Sequence, residues 1–410
     1  MSIFTRYGLN SHRFSKSLIG FVHLLRKYDI TPTLPVTATV LDKHADLFRK
    51  IKDMGVEFAV HGYKHMDYTH VDIDKVYEHN KLAMDLFHKH GIHCSGYRYP
   101  YLRRDDERIH ALKNMGFQWD SSHVISWNSL NPDDYGKECW DDYQRILKTY
   151  NASDAEESFS LPSFRNNLVE LPVSVPDDDI LVERLGVLDG FISQIWERMV
   201  TRIRDRGELL VMQCHPERFA AYKEALEKVI QLVKLHKDCW TESLGEIAEW
   251  WRERDTFRFD MKALSHQRYR IKACCTDRAT ILMKNGGGQN CGTMLFNSYY
   301  IVDEAEWDIE SPVKPIIGID GETSDDVIGF VRSEGYPYEL TEKPEEYSVF
   351  LRHRGDFGER EKRQVLENID KTPKPFIRFW RWPYGARYSL AITGDIDGVS
   401  IWDFLGRLNG

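Results

Sequence analysis

Between about residues 18 and 251, short apolar runs alternate with helix-period segments, and this alternation constrains the chain more than any other feature. Residues 18–25 follow a helical period, residues 33–41 read as a β-branched buried strand, and a helix runs through Leu47, Phe48 and Ile51 to Gly55. Residues 57–60 are strand-like, and 72–90 helical with Gly91 closing the helix, as helix C-termini prefer. The same rhythm predicts strands at 93–98, 117–121, 168–172 and 208–214, with helices at 104–115, 192–206, 218–237 and 244–251. Strands alternating with helices of this length make a parallel sheet with helical crossovers. In such sheets sites form beyond the C-terminal strand ends. The chain opens on a helix, so its sheet lacks a first strand. A strand of the right kind stands at the far end of the sequence, where residues 387–394 run into Asp395-Ile396-Asp397-Gly398, followed by the helix-prone 401–405.

A chain of 410 residues is too long for one ordinary core. Past residue 255 the texture changes: 268–273, 279–284, 294–301 and 347–351 read as strands joined by polar and glycine-rich turns. Residues 315–320 followed by 325–333 form a strand–helix unit. Gly286-Gly287-Gly288 reads as a hairpin turn, because no Lys-Ser/Thr follows as a phosphate cradle requires. The expected organisation is a first domain over 1–255, a β-rich accessory domain over 256–380, and a closing strand and helix over 381–410. The net charge of −9 leaves no basic surplus for a nucleic-acid partner. No run of 18 apolar residues could span a membrane. The first eight residues lack a secretion signal and the seven cysteines form no CxxC, so a reducing cytoplasm is expected.

The chemistry starts at His61-Gly62-Tyr63-Lys64-His65, directly after the strand at 57–60. One helical turn would point both imidazoles the same way, as two ligands of one metal require. With 16 histidines in the chain such a spacing also arises by chance, so its weight comes from its company. His70, His79, His88, His90 and His93 read as solvated helix and loop residues.

That company is Arg98-Tyr99-Pro100-Tyr101, Asp120 with Trp127, Met212-Gln213-Cys214-His215-Pro216, and the acidic end of the C-terminal strand. Together these resemble the motifs of the polysaccharide deacetylases, the NodB-homology or carbohydrate esterase family 4 group, over residues 1–255 and 385–410. The resemblance implies an α/β fold, a distorted (β/α)7 barrel. Four motifs come in the family's order and the acidic one comes last. The expected arrangement is a circular permutation, with the C-terminal strand inserted as the barrel's first strand beside residues 31–41. The same strand could instead complete a neighbouring subunit's barrel, giving a homo-oligomer, or carry a surface carboxylate pair.

Carried over by position, the resemblance implies that Asp397, His61 and His65 hold one divalent metal, with zinc the ion such a donor set suits. It implies Asp395 as general base, Arg98 as the partner that holds Asp395 ionised, and the Tyr101 backbone N–H as an oxyanion donor. His215 would protonate the departing amine, oriented by Asp120. Trp127 would form an apolar wall for substrate, and Glu170, at another strand end, a substrate contact. Two departures stand out. Gly62 replaces the hydroxyl residue usual after the first histidine, and the acids are spaced Asp-x-Asp instead of adjacent. The implied activity is metal-dependent amide hydrolysis, N-deacetylation of an amino sugar in a polysaccharide precursor such as a nucleotide- or lipid-linked sugar. A cyclic ureide or imide as substrate is the alternative, and a degenerate carbohydrate-binding or scaffold module the reading from another class.

Overall fold

The computed structural model describes residues 11–130, 133, 136–187, 189–285 and 291–407. Two compact units divide the chain, Met1–Glu249 with Leu390–Gly410 as one and Trp250–Ser389 as the other. The first unit is a mixed α/β fold around an open, barrel-type sheet. Across it the strands run in the order Ser153–Asp154, Val124–Ser126, Val173–Val175, Leu209–Cys214, Tyr388–Gly394, Thr33–Val36, Glu57–Val60, Gly96–Tyr97, Trp119–Asp120, Leu168–Glu170 and Ser163–Arg165. Cys239–Thr241 adds to the Tyr388–Gly394 strand.

The central place of the Tyr388–Gly394 strand follows from its composition. Leu390, Ala391 and Ile392 leave no polar face, and all seven residues are buried, as strands covered on both sides by helices must be. It runs parallel to Thr33–Val36, with Thr33 opposite Thr393 and a further bridge from Val36 to Ile396. The Asp395 N–H donates to the Cys214 carbonyl on its other side. This strand therefore lies in its own chain's sheet, beside the strand that opens the unit, and its two acids emerge where Thr33–Val36 and Leu209–Cys214 end. The His12–Lys27 helix covers it. Phe21 on that helix packs edge-on against Phe219, and a Cβ at Gly394 would lie 3.0 Å from both Phe21 and Leu34.

Several expected elements end elsewhere. The strand at 33–41 stops at Val36, and Ala38–Lys43 is helix. Beyond Val36 the backbone turns, because the N–H groups of Ala38 and Thr39 find the carbonyls of Gly62 and Tyr63. The single strand expected at 294–301 is two, Cys291–Phe296 and Tyr299–Val302, parted by Asn297 and Ser298 at φ 41° and 66°. Such a positive-φ pair makes a tight hairpin. Strands Val124–Ser126 and Val173–Val175 go beyond the predicted set. The triple glycine at 286–288 lies outside the described residues.

The Trp250–Ser389 unit holds three small sheets. One is parallel, with Lys314–Ile319 between Tyr338–Leu340 and Tyr347–Leu351, and its helix is Asp325–Ser333. The other two are antiparallel and share a core of Ile271, Ile281, Met283, Trp307, Ile309 and Phe379.

Candidate active site

The first strand end to supply chemistry is Glu57–Val60, which delivers His61 into a loop. The HxxxH spacing suggests a helical turn, but the backbone from His61 to Asp67 is a series of bends. Gly62 adopts φ +77°, and a Cβ there would meet the Lys64 carbonyl and the Tyr68 ring at 2.9 Å. A side chain is excluded twice over, by conformation and by contact. The hydroxyl that residue 62 lacks comes from Tyr68 instead, whose buried Oη accepts the N–H groups of Tyr63 at 3.0 Å and Lys64 at 3.3 Å.

Folded this way, the loop brings His61 Nε2 within 3.4 Å and His65 Nε2 within 3.2 Å of Asp397 Oδ1. All three side chains are buried, and their candidate ligand atoms lie within 4.8 Å of one another. His61 Nδ1 sits 2.8 Å from the Arg98 carbonyl oxygen. A carbonyl only accepts, so Nδ1 carries a proton and the ring turns its Nε2 toward the Asp397 carboxylate. Two imidazole nitrogens and one carboxylate oxygen, with one imidazole oriented by a carbonyl, fit a divalent transition metal.

Arg98 is the hub behind that group and is fully buried. Nη1 donates to Asp395 Oδ1 at 2.6 Å and Thr393 Oγ1 at 2.7 Å, Nε to the Ser121 carbonyl, and Nη2 to Ser121 Oγ. The bond fixes one Asp395 oxygen and leaves Oδ2 on the side of His61 Nε2, 4.0 Å away. A charge-assisted bond to a buried, fixed guanidinium holds the carboxylate in one orientation.

His215 follows the Leu209–Cys214 strand, and its Nδ1 lies 2.9 Å from Asp178 Oδ1. Burial works against a charge on this ring, but the Asp178 carboxylate outweighs it and His215 is pushed up to about 10. Asp177 is pushed up to about 7 by burial and by its neighbours Asp178 and Asp179. Arg218 spans the same acids, with Nη1 3.3 Å from Asp178 Oδ2 and Nη2 2.7 Å from Asp179 Oδ1. Asp177, Asp178 and His215 could also group around an ion. Arg218 already supplies the cation there, so the cluster reads as a proton-holding pair.

The structure therefore brings together His61, His65, Asp397, Asp395 and Arg98, sets His215 at the end of the neighbouring strand, where the Cys214 carbonyl accepts from the Asp395 N–H, and places the remaining expected residues differently. Asp120 is not the partner of His215: its carboxylate accepts from Ser122 Oγ at 2.7 Å and Ser122 N at 3.1 Å. Burial pushes Asp120 up to about 6, opposed chiefly by Arg104. Glu170 is held by Arg104 and by Arg165 Nε at 3.1 Å, so its carboxylate is committed within the protein. Trp127 is completely buried, with Arg206 over its ring, and presents no surface to a substrate. Tyr101 keeps an exposed ring edge-on to His65 at 4.5 Å, and its backbone is left-handed at φ 59°. The residue missed is Asp178. Its signal was the acidic run Asp177-Asp178-Asp179 just past the apolar Val173–Val175 strand and Pro176.

Comparison with known proteins gives one family model that matches part of the chain. The polysaccharide deacetylase family model matches residues 16–119. Among solved structures, a "probable Polysaccharide deacetylase" from Pseudomonas aeruginosa PAO1 shares 17% identity over 59% of this chain and 75% of its own, at a TM-score of 0.47. The Puue allantoinase shares 19% identity over 58% and 72%, at a TM-score of 0.45. At such identities neither protein's substrate transfers to this chain. No curated protein sequence matches. Among the described residues, no helix is long and apolar enough to cross a membrane.

Proposed function

Residues 16–119 match the polysaccharide deacetylase family, and on that premise we propose that this chain is a metal-dependent amide hydrolase that removes the acetyl group from an N-acetylated amino sugar. The observation that carries the reading is the meeting, at one end of one sheet, of a three-ligand group, an arginine-held carboxylate and a carboxylate-held histidine. An amide needs all three kinds of help: an activated water, stabilisation of the developing oxyanion, and a proton for the amine.

His61, His65 and Asp397 are the residues that would hold the ion, zinc being the one that best suits the donors. Once bound, a divalent ion supplies Lewis-acid polarisation at the reacting oxygen. Asp395 takes the proton of the attacking water on Oδ2, since Arg98 occupies Oδ1. The water oxygen bonds to the acetyl carbon as the carbon–nitrogen bond breaks. The amine leaves with a proton from His215 Nε2, while Asp178 on Nδ1 keeps that ring charged until the transfer. The left-handed turn at Tyr101, set against His65, offers a backbone N–H as second oxyanion donor. Because the acidic strand comes after the accessory unit in sequence yet pairs with the unit's opening strand, we read the arrangement as a circular permutation of the deacetylase order.

Acetate release from N-acetylglucosamine oligomers, nucleotide-linked N-acetyl sugars and a cyclic ureide, with and without chelator, tests the proposal. Chelator-sensitive acetate release from a sugar is expected. Ureide cleavage without acetate release would replace the sugar reading with the ureide one, and no hydrolysis of any substrate would leave a binding module.

A further inference from the structure

The Trp250–Ser389 unit contains a cavity of about 210 Å³ whose lining includes Arg254, Arg258, Arg332, Phe257, Phe259 and Tyr338. Its walls are of two kinds. The aromatic wall is fixed, because Phe259 stacks on Phe379 at 4.0 Å and 13°, and Phe257 packs on the same ring at 5.3 Å. The other wall is cationic, and its deepest member is Arg254.

Arg254 is only 5% exposed. Nε donates to the Trp380 carbonyl at 2.9 Å and Nη1 to the Ser333 carbonyl at 2.6 Å. Capping those two carbonyls engages two of the three guanidinium nitrogens, but the buried Nη2 makes no hydrogen bond. Gly335 lies directly against it: a Cβ there would come within 2.7 Å of Nη2 and 2.3 Å of the Phe379 carbonyl. Glu334, a buried acid of the unit, is already engaged by Arg378 Nη2 at 3.1 Å and Arg381 Nη2 at 2.8 Å. Three buried guanidinium groups thus share one buried carboxylate. Buried charge without full compensation costs several kcal/mol per ion, by order of magnitude. Burial holds Arg254 below its ordinary pKa, and Arg378 and Arg381 add to this against the pull of Glu334.

Two more arginines stand at the cavity's exposed side. Arg332 pairs with Asp255 at 2.6 Å, and Arg258 approaches Asp260 only to 3.8 Å. Asp255 is the one carboxylate in the lining, against three arginines. Arginine forks match phosphate oxygens in a two-point geometry, and fixed aromatic rings match a flat or ring-shaped group.

We propose that this cavity binds a phosphate ester carried on a ring, of the nucleotide or sugar-phosphate class. The phosphate sits among the Arg254, Arg258 and Arg332 side chains that line the cavity, and the ring lies against the aromatic wall. The site is separate from the hydrolytic centre and stands or falls independently of that assignment.

Titration calorimetry on the full chain at low salt tests it, using uridine monophosphate, uridine, glucose 1-phosphate, glucose and inorganic phosphate as probes. At least one phosphate ester should bind about tenfold or more tightly than both its unphosphorylated parent and inorganic phosphate. Preference for the uridine ester identifies a nucleotide ligand, and preference for the glucose ester a sugar phosphate. The Arg258→Ala/Arg332→Ala double variant should lose about tenfold in that affinity at an unchanged melting temperature. Equal binding of ester and parent, binding no better than inorganic phosphate, or an undiminished double variant would each overturn the proposal. So would failure of every phosphate ester to bind at concentrations up to about 10 mM.

Discussion

Replacing Asp178 by asparagine isolates the role of the His215 partner. The asparagine keeps the size of the side chain and removes the charge that lies 2.9 Å from Nδ1. With that charge gone, burial and Arg218 both remain as influences that lower the His215 pKa from about 10 toward or below the ordinary 6.5. At about pH 8 the protonated fraction would then fall from nearly all to about 3%, a loss of roughly 30-fold in amine protonation, narrowing to about twofold at about pH 6.5. The assay is kcat/KM for acetate release across about pH 6 to 9, on intact protein, Asp178→Asn and Asp120→Asn. The Asp178→Asn deficit should grow as pH rises, and Asp120→Asn should follow the intact profile. A deficit that stays constant with pH would show that Asp178 only positions the ring. No deficit at all, or a growing deficit in Asp120→Asn instead, would refute the assignment.

Metal analysis should find about one divalent ion per intact chain and little in Asp397→Ala, whose loss leaves two ligands; an ion retained in the variant would mean the C-terminal strand does not close the site. Tyr68→Phe strands the Tyr63 and Lys64 N–H groups, so metal affinity measured by chelator competition should fall and stability should drop by about 1–3 kcal/mol. Gly62→Ser, which puts a hydroxyl after the first histidine, should destabilise by about 1 kcal/mol or more because of its φ and the 2.9 Å contacts; a more stable variant would contradict the loop described. Arg98→Met leaves Asp395 buried without its partner, at a cost of about 3 kcal/mol or more in denaturant unfolding, with activity lost.

The parallel α/β framework was legible because crossovers of helical period between apolar strands admit few other solutions, and the family match at residues 16–119 agrees with it. The paired histidines and the strand-end acids were legible as residues, since ligand chemistry restricts them to a few types. Their backbone was not: four-residue spacing fits a helical turn and a bent loop equally, and the bend depends on Tyr68 and Gly62 packing together. Whether a strand-end carboxylate meets substrate or an arginine is settled by residues far along the chain. Glu170 meets Arg104 from 66 positions away, which no local pattern reveals. The exchange of Asp120 for Asp178 has the same origin, because Asp178 reaches His215 across 37 positions through the sheet order.

The strand that runs into both aspartates is made after every strand it pairs with. Until residues 388–394 emerge, Thr33–Val36 and Leu209–Cys214 each wait with an unpaired edge, and those edges are the kind that recruit foreign strands. A nascent chain halted anywhere in the accessory unit would hold both histidines and His215 but neither acid, and a gap where the sheet's middle belongs. The candidate metal ligands and closure of the sheet therefore arrive together, in one event. Premature termination before residue 388 should yield insoluble or chaperone-bound chains with the three-ligand group incomplete, and quality control has one sharply defined step to watch.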